Sequence, residues 1–260
     1  MSSGRKIKLR IAYDGTEYHG WQIQPGFRTV QSVLCDAATA LLRCPTRVVG
    51  ASRTDAGVHA MGQVGLIKTT NPIDAQHLGR AINEFLPRDV AVLSAQEVES
   101  DFDLVGDVAR KAYRYTIYTG RVRPVRRIRF CWHYPGRLML EAMQTAAGHF
   151  VGTRDFRSFA ASLEPGENTV RTLFRCDVTS GDDDSDSLTV DLEGDGFLHH
   201  MARILVGTLV DVGRGHWRPE EMAGILAARD RQAAGHLAPA GGLCLEWIQY
   251  RCEETETPLT

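Results

Sequence analysis

From Lys6 to Tyr13 polar and apolar residues alternate, the period of a strand with one buried face, and the run stops at the turn pair Asp14-Gly15. From Val30 to Leu42 the apolar positions recur at helical spacing behind Thr29, a good N-cap, which predicts a helix. Two short apolar stretches, Arg47 to Gly50 and Val64 to Lys68, read as strands joined by a loop. A second helix is expected from Ala75 to about Phe85, ended by Pro87, and strands from Val90 to Val98 and Ala109 to Tyr118. The second half predicts helices over Leu138 to Phe150, His199 to Val212 and Pro219 to Ala228, the last with Pro near its first position. Strands are expected at Arg171 to Thr179, Leu188 to Glu193 and Leu243 to Tyr250.

Strands and helices interleave, and the hairpin-like pairs exclude a purely parallel sheet, so the class is α+β: a mixed, largely antiparallel central sheet flanked by helices. Gly120 and Pro124 break regular structure and put a seam between residues 1–120 and 121–260. No low-complexity linker separates the halves, so they are expected to share one sheet. Their element order is similar, without an evident sequence repeat.

The chain's 260 residues give ample core for one large domain or two ordinary ones. No apolar run reaches bilayer-spanning length, and Met1-Ser2-Ser3-Gly4-Arg5-Lys6 lacks the apolar core of a signal peptide, so a cytoplasmic, membrane-free protein is expected. Cys35, Cys44, Cys131, Cys176, Cys244 and Cys252 form no C-x-x-C pair and read as reduced, mostly buried thiols. Adjacent His199 and His200 point in different directions on a helix or strand and make a poor chelate, so no metal is expected. P-loop, dinucleotide, H-E-x-x-H and G-x-S-x-G patterns are missing, which removes support from nucleotide hydrolysis, dinucleotide chemistry and the common hydrolase mechanisms.

The net charge of −2 says less than its distribution. Arg121, Arg123, Arg126, Arg127 and Arg129 crowd one stretch without an acid, and suit RNA phosphates, as do Lys6, Lys8 and Arg10. Acids gather at Asp182-Asp183-Asp184-Ser185-Asp186, read as a solvated hairpin tip, and in the tail Glu253-Glu254-Thr255-Glu256.

The loop between the second and third strands carries Ala51-Ser52-Arg53-Thr54-Asp55-Ala56-Gly57-Val58-His59-Ala60. An Asp in such a string can simply make a turn, with Gly57 supplying a positive φ. It can equally do chemistry. Arg53, two residues away, shares a face with Asp55 if the strand end persists, and a nearby guanidinium keeps a carboxylate ionised. A nucleophilic carboxylate needs that protection, because burial alone neutralises it.

The string resembles the R-T-D-A-G-V-H-A signature of the TruA-type tRNA pseudouridine synthases. Further segments are similar to that family's blocks: Tyr13-Asp14-Gly15-Thr16-Glu17-Tyr18-His19-Gly20-Trp21-Gln22 at its Y-D-G-x-x-Y-x-G-W-Q opening, then Arg28-Thr29-Val30-Gln31. Lys111-Ala112-Tyr113-Arg114-Tyr115 resembles its K-x-Y-x-Y strand, and Phe197-Leu198-His199-His200-Met201-Ala202-Arg203 its F-x-H-H-M-x-R helix. Asn168-Thr169-Val170-Arg171 and Gly242-Leu243-Cys244-Leu245 fall where the family has similar strings. Ser52 stands where many members have Gly.

The resemblance implies an isomerase without metal or cofactor, acting on uridines 38, 39 and 40 of the tRNA anticodon stem and loop and working as a homodimer. Asp55 would be the nucleophile, attacking C6 of the base or C1′ of the ribose. Arg203 would pair with Asp55 and keep it charged, Tyr113 would stack on the base, and Arg53 would fill the vacated stack or hold a phosphate. An unperturbed phenol titrates near ~10, so stacking suits Tyr113 better than proton abstraction. Leu245, or Leu243 on the same face, would line the pocket. Two other classes compete: an RNA binder of the same fold, disfavoured because Asp55 and Arg203 are both present, and a glycosidase pairing Asp55 with Glu193 or Asp195. A glycosidase needs two carboxylates of divergent pKa flanking one bond, and no acid adjoins Asp55.

Overall fold

In the first strand, β1 (Arg5–Tyr13), Ile7, Leu9 and Ile11 are wholly buried while Arg10 faces solvent, so the alternation in sequence becomes a sheet with one face on the core. The structure is a computed structural model that describes residues 4–181 and 184–251. The class is α+β with a mostly antiparallel sheet flanked by helices, as the patterning predicts. The chain packs as two compact units, Met1–Ala109 with Leu245–Thr260, and Arg110–Cys244.

In the first unit β1 pairs antiparallel with β3 (His59–Thr69) and with β4 (Val90–Val98), and the short β2 (Val48–Gly50) adds to β3. The last strand, β10 (Leu243–Tyr250), neighbours β3. Helix α1 (Val30–Leu42) packs on β2 and α2 (Ala75–Asn83) on β4. Thr29 caps α1 in a reciprocal box with Ser32, each side chain serving the other's backbone N–H at 3.2 Å.

In the second unit β5 (Val108–Tyr118) pairs antiparallel with β9 (Asp184–Gly194), β9 with β8 (Val170–Gly181), and β8 with β7 (Gly152–Asp155). The short β6 (Trp132–His133) runs parallel to β5. Helix α3 (Leu140–Gly148) packs on β8 and on α4 (Met201–Gly213), and α5 (Met222–Ala228) lies beside β7. Phe150, Phe156 and Phe159 fill this core, with the rings of Phe150 and Phe159 edge to face at 5.1 Å.

Several boundaries differ from the patterning. β3 starts at His59 rather than Val64, because Ala60 and Gln63 are in register with Tyr13 and Ile11 of β1. β6 and β7 are not foreshadowed: Gly-Thr-Arg-Asp has no strand composition, and β7 exists because β8 offers it a ladder. Helix α4 begins after His199 and His200, the latter at φ 63°, outside the helical range. β9 reaches back into the acidic run, pairing Asp184 with Gly181, while residues 182–183 and the acidic tail lie outside the described residues.

None of the described cysteines is in a disulfide, but they are less buried than their composition predicts: Cys131 and Cys176 are buried, Cys35 and Cys244 half-buried, and Cys44 exposed. Burial pushes the Cys176 thiol up to about 12. Iodoacetamide at pH 8 is therefore expected to label Cys44 and leave Cys176 untouched in peptide mass spectra; rapid labelling of Cys176 would contradict its burial.

Candidate active site

The loop of residues 51–58 between β2 and β3 is held from two sides. On one side is the segment that follows β1. Trp21 N donates to Thr54 O (3.0 Å), Gly57 N donates to Tyr18 O (3.2 Å), and the hydroxyls of Tyr13 and Thr54 meet at 2.8 Å in the interior. The glycines of that segment permit the approach. A Cβ on Gly15 would collide with Val58 O, and one on Gly20, which has φ +80°, would lie 2.6 Å from Thr54 O. On the other side is Gln63, wholly buried in β3, whose amide accepts from Ser52 N (3.3 Å) and donates to Ser52 O (2.8 Å).

Within the loop, Val58 N donates to Asp55 O (3.1 Å) and Gly57 has φ +78°, the left-handed third position of a tight turn. The positive φ is the one the sequence predicts. The strand does not persist through the loop, yet its alternation does: Ser52 and Thr54 are buried, Arg53 is exposed and Asp55 is half-buried. The bond that closes the turn is made by Asp55's backbone carbonyl.

The surrounding polar groups are structural. His59 Nδ1 accepts from Gly15 N (3.0 Å), so its 3.2 Å approach to Asp14 is no ion pair through that nitrogen. Tyr18 donates to Asp89 at 2.6 Å; burial, then that carboxylate, push its phenol well above the usual range. Arg28 lies over the Tyr18 ring and 3.2 Å from Asp89. Leu243 and Leu245 of β10 are both buried, and Leu245 has no exposed surface.

The second unit carries Tyr113 and Arg203. Tyr113, in β5 opposite Leu192, is buried with its ring edge-on to Phe197 at 5.0 Å. Burial, then the charge of Arg171, push the Lys111 amine below its usual pKa. Arg203 on α4 is half-buried. Its Nε donates to Ala238 O (2.8 Å) and its own carbonyl accepts from Ala238 N (3.2 Å). Tyr115 donates to the next carbonyl, Pro239 O, at 2.7 Å. His199 is anchored rather than isolated: Nδ1 meets Ser162 Oγ at 2.6 Å and its carbonyl accepts from Ala161 N.

The five arginines from Arg121 to Arg129 are all exposed. Lys6 and Lys8 are partly spent inside the fold, Lys6 donating to Phe102 O (2.9 Å) and Lys8 lying over the rings of Phe102 and Tyr250. Gln63 is not singled out by the sequence patterning. Its only signal there is a lone amide inside the otherwise apolar run from Ala60 to Ile67.

The family model described as tRNA pseudouridine synthase matches residues 10–105 and 146–251. The chain belongs to the tRNA pseudouridine synthase family. Proteins named tRNA pseudouridine synthase A are close to it over nearly their whole length: one from Pelobacter propionicus is 45% identical over 95% of this chain and 100% of its own. Those from Moorella thermoacetica, 44% identical over 94% of this chain and 99% of its own, and Geobacter sulfurreducens, 43% identical over 95% and 100%, are similar. The matched stretches contain Arg53, Asp55, Arg203 and Leu245, while Tyr113 and the arginine run fall between them. Membership makes the chain an isomerase acting on tRNA uridines.

Proposed function

We propose that this synthase converts uridine to pseudouridine at positions 38, 39 and/or 40 of the tRNA anticodon stem-loop, with Asp55 as nucleophile. The observation that carries the assignment of Asp55 is a half-buried carboxylate on a loop whose backbone is stapled by Trp21, Tyr18 and Gln63. Fixing a nucleophile's backbone in advance is how a folded scaffold supplies proximity and orientation.

Asp55 attacks C6 of the base or C1′ of the ribose, and the N1–C1′ bond breaks. Uracil turns while held, C5 bonds to C1′, the C5 proton leaves, and the carboxylate is released. Arg203 keeps the nucleophile charged and aimed. Tyr113 stacks on the base, with Leu245 as apolar backing, and exposed Arg53 fills the vacated stack or holds a phosphate. Extruding a stem nucleotide takes a few kcal/mol, offset by stacking and backbone contacts. The chemistry calls for no metal or cofactor. Adjacent target positions favour recognition by RNA shape, with the chain acting as a homodimer in the cytoplasm. Among the described residues no helix is long and apolar enough to cross a membrane.

The glycosidase reading loses its second acid. Glu193 is paired with Arg110 at 2.9 Å, and Asp195 accepts from Thr172 N at 3.0 Å, so both carboxylates are already engaged. The test is to map pseudouridine in tRNA incubated with the purified chain. Conversion confined to positions 38–40 supports the proposal; conversion elsewhere, or free uracil, overturns it. Separately, Arg126→Glu is expected to weaken tRNA binding and flatten the slope of log affinity against log salt by about 1–2; an unchanged slope removes the arginine run from the interface.

A further inference from the structure

Arg203, Gly207 and Asp211 recur every four residues along α4 and so share one helix face. The segment of residues 234–239 lies against that face at backbone distance. A Cβ on Gly207 would collide with His236 O, and Gly235 N donates to Thr208 Oγ1 at 3.0 Å. One end of this strap fixes Arg203, through the two hydrogen bonds it exchanges with Ala238. The middle is tied to Asp211, whose Oδ2 is 3.2 Å from His236 Nδ1.

Asp211 is an expensive residue to keep there. It is 3% exposed, in the last turn of α4, where the helix dipole presents its negative end. Its Oδ1 makes no hydrogen bond, although the Arg214 guanidinium lies 2.8 Å away. Its other oxygen faces the strap. His236 is half-exposed, with Trp132 edge-on to its ring at 5.4 Å, so the imidazole adds little to the core and its main directed contact is Asp211.

We infer that Asp211 and His236 are positioning residues for Arg203: their contact fixes the strap, and the strap, through Ala238, fixes the guanidinium. The inference rests on the assignment of Arg203 to the catalytic machinery. Asp211 and His236 touch no substrate and act only through the placement of that side chain.

The test is a double-mutant cycle of His236→Ala with Arg203→Met, reading single-turnover rate and tRNA affinity separately. His236→Ala is expected to slow turnover about tenfold with tRNA affinity within about twofold, since small misplacement of a catalytic group acts on rate. His236→Asn, which keeps a donor near the Nδ1 position, is expected to restore most of the rate, and His236→Gln, with its donor farther out, is not. In the Arg203→Met background His236→Ala is expected to add little. Normal turnover by His236→Ala, while Arg203→Met is slow, overturns the strap and leaves Arg203 in place. Multiplicative losses in the double variant, or equal rescue by Asn and Gln, also overturn it. A silent Arg203→Met overturns both the strap and the assignment beneath it. If His236→Ala is too unstable to assay, the contrast between Asn and Gln reads the same contact.

Discussion

Asp55→Asn is expected to bind tRNA within about threefold of the unchanged chain and to lose turnover by at least about 1,000-fold, the scale of removing a covalent nucleophile. The substitution is nearly isosteric, and the loop's backbone has anchors of its own. Its turn closes through Asp55 O to Val58 N, and its anchors are Thr54 O, Gly57 N and both backbone groups of Ser52. The folded loop should therefore survive, and an amide in place of the carboxylate cannot form the covalent bond. Filter binding and single-turnover assays on one preparation separate the two effects. Loss of affinity together with turnover would point to a structural aspartate.

Gly20→Ala should have the next largest effect, without touching any chemical group. Gly20 has φ +80°, where an L side chain costs about 1–2 kcal/mol, and its new Cβ would lie 2.6 Å from Thr54 O and 3.2 Å from both Ala56 N and Asp55 C. These three nearest atoms are all backbone of the Asp55 loop, so relief of the clash moves Asp55. A displacement near 1 Å is worth about 100-fold in rate. Gly26 is the matched control, because it has φ +79° and a methyl added there would meet nothing within 4 Å. Both variants should melt roughly 2–8 °C lower from backbone strain alone. Only Gly20→Ala should lose turnover. Equal activity of the two would show that the opening segment does not set the loop.

What could be read in the sequence was what local pattern determines. β1 and α1 follow from alternation, helical spacing and the Thr29 cap, and β4 matches its apolar run from end to end. The turn at Asp55 and the positive φ of Gly57 were legible because glycine's conformational range is a local property. The start of β3 was not, because His59-Ala-Met-Gly-Gln has no alternation of its own and is made a strand by register with β1. β7 is the same case, created by β8. Gln63 and Asp211 were invisible for a related reason. Each is explained by a partner distant in sequence, Ser52 for one and His236 for the other, and a buried polar side chain has no meaning until that partner is placed.

The most direct measurement is tritium release from tRNA labelled at uridine C5, run on the unchanged chain and on Asp55→Asn. Isomerisation replaces the C5–H bond with the bond to C1′, so the proposed mechanism predicts release by the unchanged chain alone, with no free uracil. Release by Asp55→Asn at a comparable rate, or no release by the unchanged chain from tRNA it binds tightly, would contradict it.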